Sequence, residues 1–360
     1  MRANFRNLAS MGFSDIVRYA ENTINRFGVR RSTKKGWRPH LFPYRGYGTD
    51  NRVHVIGRVL MQDPNMEGPR SRDKSGRVEK ATYEAKRGYR QFFTIQVADY
   101  PAEVRLPNGT AHTTYTNDNG YFDLSIEDHG LKPGWHEVKV ASEDGGLVHA
   151  QVLITSSEQT VGIVSDIDDT IMVTNLPRAL HAAYNSWVKK TDARQPVEGM
   201  REFYETILRE HPHAPVFYLS TGAWNTYDTL IRFIHQHQLP EGPLLLTDWG
   251  PTPTGLFRSG TEHKKVQLRN LIIDYPNINW ILVGDNGQHD PLTYGNLVAE
   301  HPEAVAGVAI RELTPSEHVL AHGTAVSLTA PARTSDQGVP SISAPDGFGL
   351  KEKYEANPFV

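Results

Sequence analysis

The chain has 360 residues, 38% of them hydrophobic, enough for ordinary cores in about two domains, and its formal net charge is −3. It contains no cysteine, which excludes disulfides, a thiol nucleophile and cysteine-based zinc sites. No stretch approaches an apolar membrane span, and the first 30 residues carry charges throughout without a continuous apolar core, so a cytoplasmic location is expected.

The near-neutral total hides an asymmetry. Residues 1–47 hold ten Lys and Arg against Asp15 and Glu21, a net +8, so the remainder carries −11. Such a basic arm points to an anionic partner. Phe13, Val17, Ala20, Ile24 and Phe27 recur at spacings of four, three, four and three, which makes one apolar helix face, capped by Ser10 or Ser14 and ended at Gly28. Two readings stand for residues 1–50. The helix packs on the rest of the protein, or, flanked by Arg26, Arg30, Arg31, Lys34, Lys35 and Arg38, it lies on an anionic membrane surface.

Residues 51–157 read as an all-β, sandwich-like accessory module. Val53 to Leu60, Gln91 to Ala98, Glu103 to Leu106, His112 to Thr116, Tyr121 to Ile126, Trp135 to Ala141 and Leu147 to Thr155 are short strands, with turns at Asn108-Gly109, 117–120 and 144–146. A mixed-charge insertion over 61–90, helical from Val78 to Tyr89, interrupts them. No acid/base constellation emerges in this module.

From residue 158 to 313 strands alternate with helical segments, which predicts a parallel sheet flanked by helices, with ligands beyond the carboxyl ends of its strands. Helices are expected around 177–189, 199–210, 226–237 and 263–275. Three strands end in chemistry-bearing residues. Val161 to Ser165 runs into Asp166-Ile167-Asp168-Asp169-Thr170, Val216 to Leu219 into Ser220, and Trp280 to Gly284 into Asp285, with Asp290 five residues on. Asp166 and Asp168, if extended, leave on one side, and two carboxylates that close repel unless a cation lies between them or one is protonated. Lys264 shares a helical face with Leu268 and Leu271, whereas Lys265 aligns with Arg269 on the solvated side. His263 and His289 read as neighbours of an oxygen-rich site rather than metal ligands. Residues 314–360, rich in Ser, Thr, Pro, Gly and Ala without periodic apolar pattern, are expected to be a disordered tail.

Taken in order, Asp166-x-Asp168-x-Thr170, Ser220, Lys264 and Gly284-Asp285 with Asp290 resemble the signature of the haloacid dehalogenase-like phosphohydrolases. Asp-Ile-Asp-Asp-Thr-Ile, Phe-Tyr-Leu-Ser, Leu-Pro-Glu-Gly-Pro-Leu and Val-Gly-Asp-Asn-Gly-Gln-His-Asp-Pro look like the App1-type phosphatidate phosphatases, and 43–49 and 55–60 look like their bacterial branch. One departure is Ser220-Thr221-Gly222-Ala223-Trp224, where many relatives read more like Ser-x-Ser-Pro-Trp.

The resemblance implies an α/β fold, a Rossmannoid parallel sheet with helices on both faces, preceded by the β module. It implies a Mg2+-dependent phosphatase that forms an aspartyl-phosphate on Asp166, with Asp168 as acid and base and Thr170 fixing the loop. Ser220 and Lys264 would hold the phosphoryl group, and Asp166, Asp168 (by its carbonyl), Asp285 and Asp290 would serve Mg2+. The implied substrate is phosphatidate, at an anionic membrane surface on the inner face. A soluble phosphomonoester and a non-catalytic role as an anionic-lipid adaptor stand as alternatives, and nucleic acid is not an expected partner.

Overall fold

The computed structural model describes residues 28–63, 95–143, 146–173, 194–247, 260–287, 289–322 and 338–360. The Phe13 to Phe27 stripe, most of the 61–90 insertion and the helix expected at 177–189 lie outside them. Gly28 does not end a helix, because residues 28–34 are themselves helical.

The first half of the chain builds β1 (Arg38–Pro43), β2 (Gly46–Thr49), β3 (Arg52–Gln62), β4 (Pro101–Arg105), β5 (Ala111–Tyr115), β6 (Tyr121–Glu127), β7 (Gly134–Ser142) and β8 (Leu147–Thr155). They form one hydrogen-bonded sheet in the order β1-β3-β2-β8-β7-β4-β5, with β6 also on β3. This differs from two separate sheets packed as a sandwich. The physical reason is β3, which is 11 residues long and pairs with β1 over 57–62 and with β6 over 52–58. All pairs are antiparallel except β2 with β8, so the sheet is mixed. Alternation sets its interior: Val138 and Val140 are fully buried while Glu137 and Lys139 face out, and Val53, Val55, Val59, Val104 and Val152 complete the core.

The second sheet is parallel throughout. β9 (Val161–Ser165), β10 (Val216–Ala223), β11 (Leu244–Thr247), β12 (Asn279–Asp285), β13 (Val305–Arg311) and β14 (Ser341–Ala344) lie in the order β11-β10-β9-β12-β13-β14. Interspersed are α1 (Met200–Glu210), α2 (Tyr227–Gln236), α3 (Gly260–Asp274), α4 (Asp290–Glu300), α5 (Pro315–His322) and α6 (Gly347–Ala356). β9, β10 and β12 are almost wholly buried, as parallel strands covered on both faces must be. The chain leaves β9 first toward β10 and β11, then returns to its other side with β12 and β13. That reversal opens a crevice at the carboxyl ends of β9 and β12.

The expected disordered tail over 314–360 is corrected at 315–322 and 338–360, while 323–337 lie outside the described residues. Residues 315–322 are α5, β14 extends the parallel sheet beside β13, and α6 packs on α1. Its anchors, Val339, Ala344, Leu350, Tyr354 and Phe359, are buried one at a time among polar and charged residues, Pro and Gly, so they make no long periodic run. Phe359 sits where a side chain at Gly307 would be, since a Cβ there would come within 2.4 Å of the ring.

The two halves meet through the turn 43–49. Tyr44 stacks on Trp224 with ring centroids 4.3 Å apart and tilts against Tyr227 at 4.7 Å. Tyr47 meets Phe217 edge-on, the Arg45 amide donates to the Tyr227 hydroxyl at 2.8 Å, and Arg52 pairs with Asp274. Trp224 directly follows the loop that ends β10, so the β module braces that loop. Tyr44→Ala should therefore cost about 3 kcal/mol in reversible urea unfolding, whereas a loss near zero would mean that the stack contributes nothing to holding the halves together.

Candidate active site

The crevice is where the acids gather. The Asp166 amide donates to the Val283 carbonyl at 2.9 Å, which ties the residue after β9 to the end of β12. The chain then turns sharply. The amides of Thr170, Ile171 and Met172 all point to the Ile167 carbonyl, and Asp169 takes φ 60°, a left-handed conformation that Asp tolerates better than most side chains. The turn sends the two carboxylates to different partners. Asp166, 1% exposed, accepts from the Lys264 ammonium at 2.6 Å and from the Thr170 hydroxyl at 3.2 Å. Asp168, half-buried, accepts from the Ser220 hydroxyl at 3.2 Å, and the Arg194 guanidinium lies 3.8 Å from its other oxygen.

Lys264 enters from α3. It is buried with Leu268 and Leu271, while Lys265 is half-buried and Arg269 is exposed, bonded to Glu300. Its ammonium also donates to Asp290 Oδ1 at 2.5 Å. Asp290 opens α4, and glycine at 284 makes room for it, because a Cβ there would stand 2.6 Å from Asp290 Oδ2. Asp285 Oδ1 accepts from the Gly287 amide at 2.7 Å. One oxygen each of Asp166, Asp285 and Asp290 lies within 4.8 Å of the others, and Oδ2 of both Asp285 and Asp290 is buried without a hydrogen-bond partner. The Asp168 carboxylate is outside this trio. His263 is buried with Nε2 3.4 Å from the Leu245 carbonyl, and His289 is exposed.

Three buried carboxylates face one ammonium. Burial pushes Asp166 up to about 8, with Lys264 pulling it down and Asp290 and Asp168 adding to the rise. Burial, then Asp290 and Asp166, hold Asp285 well above the usual carboxylate range. For Lys264 burial works against the charge, but Asp166 and Asp290 outweigh it and keep the ammonium protonated. Such a cluster is short of positive charge and suits a hard cation.

Two side chains at this edge were not singled out in the sequence. Arg194, 5% exposed in its side chain, lies between the helices expected at 177–189 and 199–210. Arg311 ends β13 beside Asp285 and reaches the Asp169 carbonyl at 2.8 Å. The available signal was its place at the carboxyl end of a strand in an alternating β/α stretch.

Residues 161–312 match the family described as phosphatidate phosphatase APP1, catalytic domain. The likeness is of this segment, from β9 to just past β13. The curated phosphatidate phosphatase APP1 of Saccharomyces cerevisiae is 26% identical over 152 residues, 42% of this chain and 26% of that protein. An uncharacterized protein of Schizosaccharomyces pombe is 23% identical over 207 residues, 55% of this chain and 31% of its own length. The chain thus spans about a quarter to a third of these fungal relatives. The bacterial-branch resemblance rests on 43–49 and 55–60, outside the family match. A solved structure of a Paenibacillus cycloisomaltooligosaccharide glucanotransferase with cycloisomaltoheptaose overlays at TM-score 0.18 and 9% identity, over 76% of this chain and 44% of that one, a likeness too slight to carry an argument.

The charge imbalance of the APP1-type site has a consequence for stability. A raised Asp pKa means that the folded protein holds a proton the unfolded chain has lost, so stability falls as pH rises across the window, for Asp166 from 3.8 to about 8. Asp285→Asn keeps the acceptor for Gly287 and removes one buried charge. In chelator it should stabilise the fold by about 1 kcal/mol near pH 8 and by less near pH 5, read by thermal unfolding. Destabilisation at the higher pH would show that Asp285 is not a source of repulsion.

Proposed function

We propose that this chain is a Mg2+-dependent phosphatase that cleaves phosphatidate to diacylglycerol and phosphate. The observation that carries the reading is the division of labour between Asp166, buried on Lys264 and Thr170, and Asp168, half-buried on Ser220. Two carboxylates two residues apart stand in different surroundings, as a nucleophile and a proton carrier require. The six-stranded parallel sheet with its acids at the carboxyl edge is compatible with the Rossmannoid arrangement of haloacid dehalogenase-like enzymes, with the β module as an accessory.

The donor set fits Mg2+. It is all oxygen, it is short of positive charge, and two buried carboxylate oxygens have no protein partner. Asp166, Asp285 and Asp290 would hold the ion, with the Asp168 carbonyl as a further ligand. When bound, it supplies positive charge against the phosphoryl oxygens and relieves the carboxylate repulsion.

The chain's own residues do the rest. Lys264 pulls the Asp166 carboxyl down against its burial and Thr170 fixes its rotamer, so that an Asp166 oxygen, once ionised, attacks phosphorus while the bond to the leaving oxygen breaks. Asp168 gives that oxygen a proton, then as a carboxylate takes one from the water that releases phosphate and restores Asp166. The Ser220 hydroxyl, 2.9 Å from the Gly222 amide that donates to it, and the Lys264 ammonium balance the charge of the transferring group.

The site addresses the phosphoryl group and not what it is attached to. The lipid reading draws on the relative's printed activity and on the exposed cations Arg30, Arg31, Lys34, Lys35 and Arg38 at the N-terminal edge of the described residues. Among those residues no helix is long and apolar enough to cross a membrane. Phosphate release from phosphatidate in mixed micelles should exceed that from water-soluble phosphomonoesters and vanish in chelator. Preference for the soluble esters would move the assignment to a soluble-substrate phosphatase.

Asp166→Asn should abolish turnover with the fold intact, and Asp168→Asn should nearly do so while letting phosphoenzyme accumulate from a substrate with a good leaving group. Wild-type turnover in the first variant would remove the nucleophile assignment. For the cation, Lys264→Ala should cost on the order of 3 kcal/mol of transition-state stabilisation and Lys265→Ala far less. Steady-state kinetics with the order reversed would show that the wrong lysine had been chosen.

A further inference from the structure

Arg311 is 5% exposed, and its planar fork spans three segments. Nη1 donates to the Asp169 carbonyl at 2.8 Å, Nε to the Pro345 carbonyl at 3.1 Å, and Nη2 to Glu317 Oε1 at 2.5 Å. Glu317 is itself fixed, its other oxygen accepting from the Thr314 amide and hydroxyl at 2.8 and 2.9 Å. Burial would raise the Glu317 carboxyl, but Arg311 and Thr314 hold it below its ordinary range, so the partner is a carboxylate. The main chain of Arg311 adds a contact to the other acidic loop, since the Asn286 amide donates to its carbonyl at 3.0 Å and the Leu313 amide donates to Asn286 Oδ1 at 2.8 Å.

The acceptor that matters is Asp169. It is the left-handed residue between Asp168, which accepts from Ser220, and Thr170, which donates to Asp166. A strained turn persists when its surroundings over-determine it. Here the surroundings come from beyond the family match at 312, from Glu317 and from Pro345 after β14. Only an arginine can serve three acceptors in one plane, because a lysine ammonium is a single point charge on a flexible stem.

We propose that Arg311 is a positioning residue of this site. By holding the Asp169 carbonyl it fixes the turn between Asp168 and Thr170, whose hydroxyl bonds the nucleophile Asp166, and it makes α5 and Pro345 working parts of the catalytic unit. The consequence for catalysis rests on the phosphatase reading above. The consequence for the turn does not.

The test uses the full chain with Arg311→Lys and, separately, Glu317→Gln, which loosens the arginine without touching the turn. Three quantities are measured: kcat and KM with Mg2+ on a water-soluble aryl phosphate, the pH profile of kcat, and amide exchange at 167–172 against β8 as a remote reference. Arg311→Lys should lower kcat by about ten- to a hundredfold with KM changed by less than about threefold. It should displace the pH profile and speed exchange at 167–172 with β8 unchanged. Glu317→Gln should move all of these the same way by less. A folded variant with lowered melting temperature but wild-type kcat, pH profile and exchange in the turn would reduce Arg311 to a structural brace and overturn the proposal. If Arg311→Lys does not fold, Glu317→Gln decides by the same criteria. If the wild-type protein releases no phosphate from the ester or from phosphatidate, the phosphatase reading falls, and exchange at 167–172 decides whether Arg311 holds the turn.

Discussion

One buried ammonium organises this protein. Lys264 is 3% exposed and lies within hydrogen-bond distance of Asp166 and Asp290, with Asp285 completing the acidic wall. Leaving that ammonium unpaired, or those carboxylates without it, would be severe in a water-poor crevice, so α3, α4 and the ends of β9 and β12 have to arrive together. The parallel sheet makes this possible by placing both strand ends at the point where chain order reverses.

A cluster with more negative than positive groups is a poor way to stabilise a fold, and it suits a cation. The raised Asp166 and Asp285 express that tension. The surrounding structure resists it from two directions. On one side the β module stacks Tyr44 on Trp224, just beyond the Ser220 loop. On the other Arg311, Glu317 and Pro345 clamp the Asp169 turn. Each brace belongs to a part of the chain that lies outside the family match or at its very end.

The same arrangement keeps the two reactive carboxylates from acting as one. Asp166 and Asp168 would repel and titrate as a pair if they shared a pocket. Asp166 has an ammonium and a hydroxyl and Asp168 a serine with an arginine nearby, and the left-handed Asp169 turns the chain directly after them. Separate partners give the two carboxylates different surroundings, which is what the proposed two-step phosphoryl transfer asks of them.

The sequence by itself determined which residues could carry chemistry, and in what kind of fold. Strand-terminal Asp166, Ser220 and Asp285 and the face-bearing Lys264 were legible because strand and helix periodicity are local properties, and the motif wording was specific enough to indicate the APP1 family. Tertiary structure decided the rest. The course of the chain directly after Asp168 depends on one positive φ at Asp169, which no periodicity encodes. Arg194 and Arg311 acquire meaning only through acceptors far away in the chain. The C-terminal residues lack a repeating apolar pattern, yet Tyr354 and Phe359 bury one by one against surfaces that exist only once the sheet has formed. The joining of the β module into one sheet likewise follows from the pairing of β3 with three partners, a long-range choice that short strands do not announce.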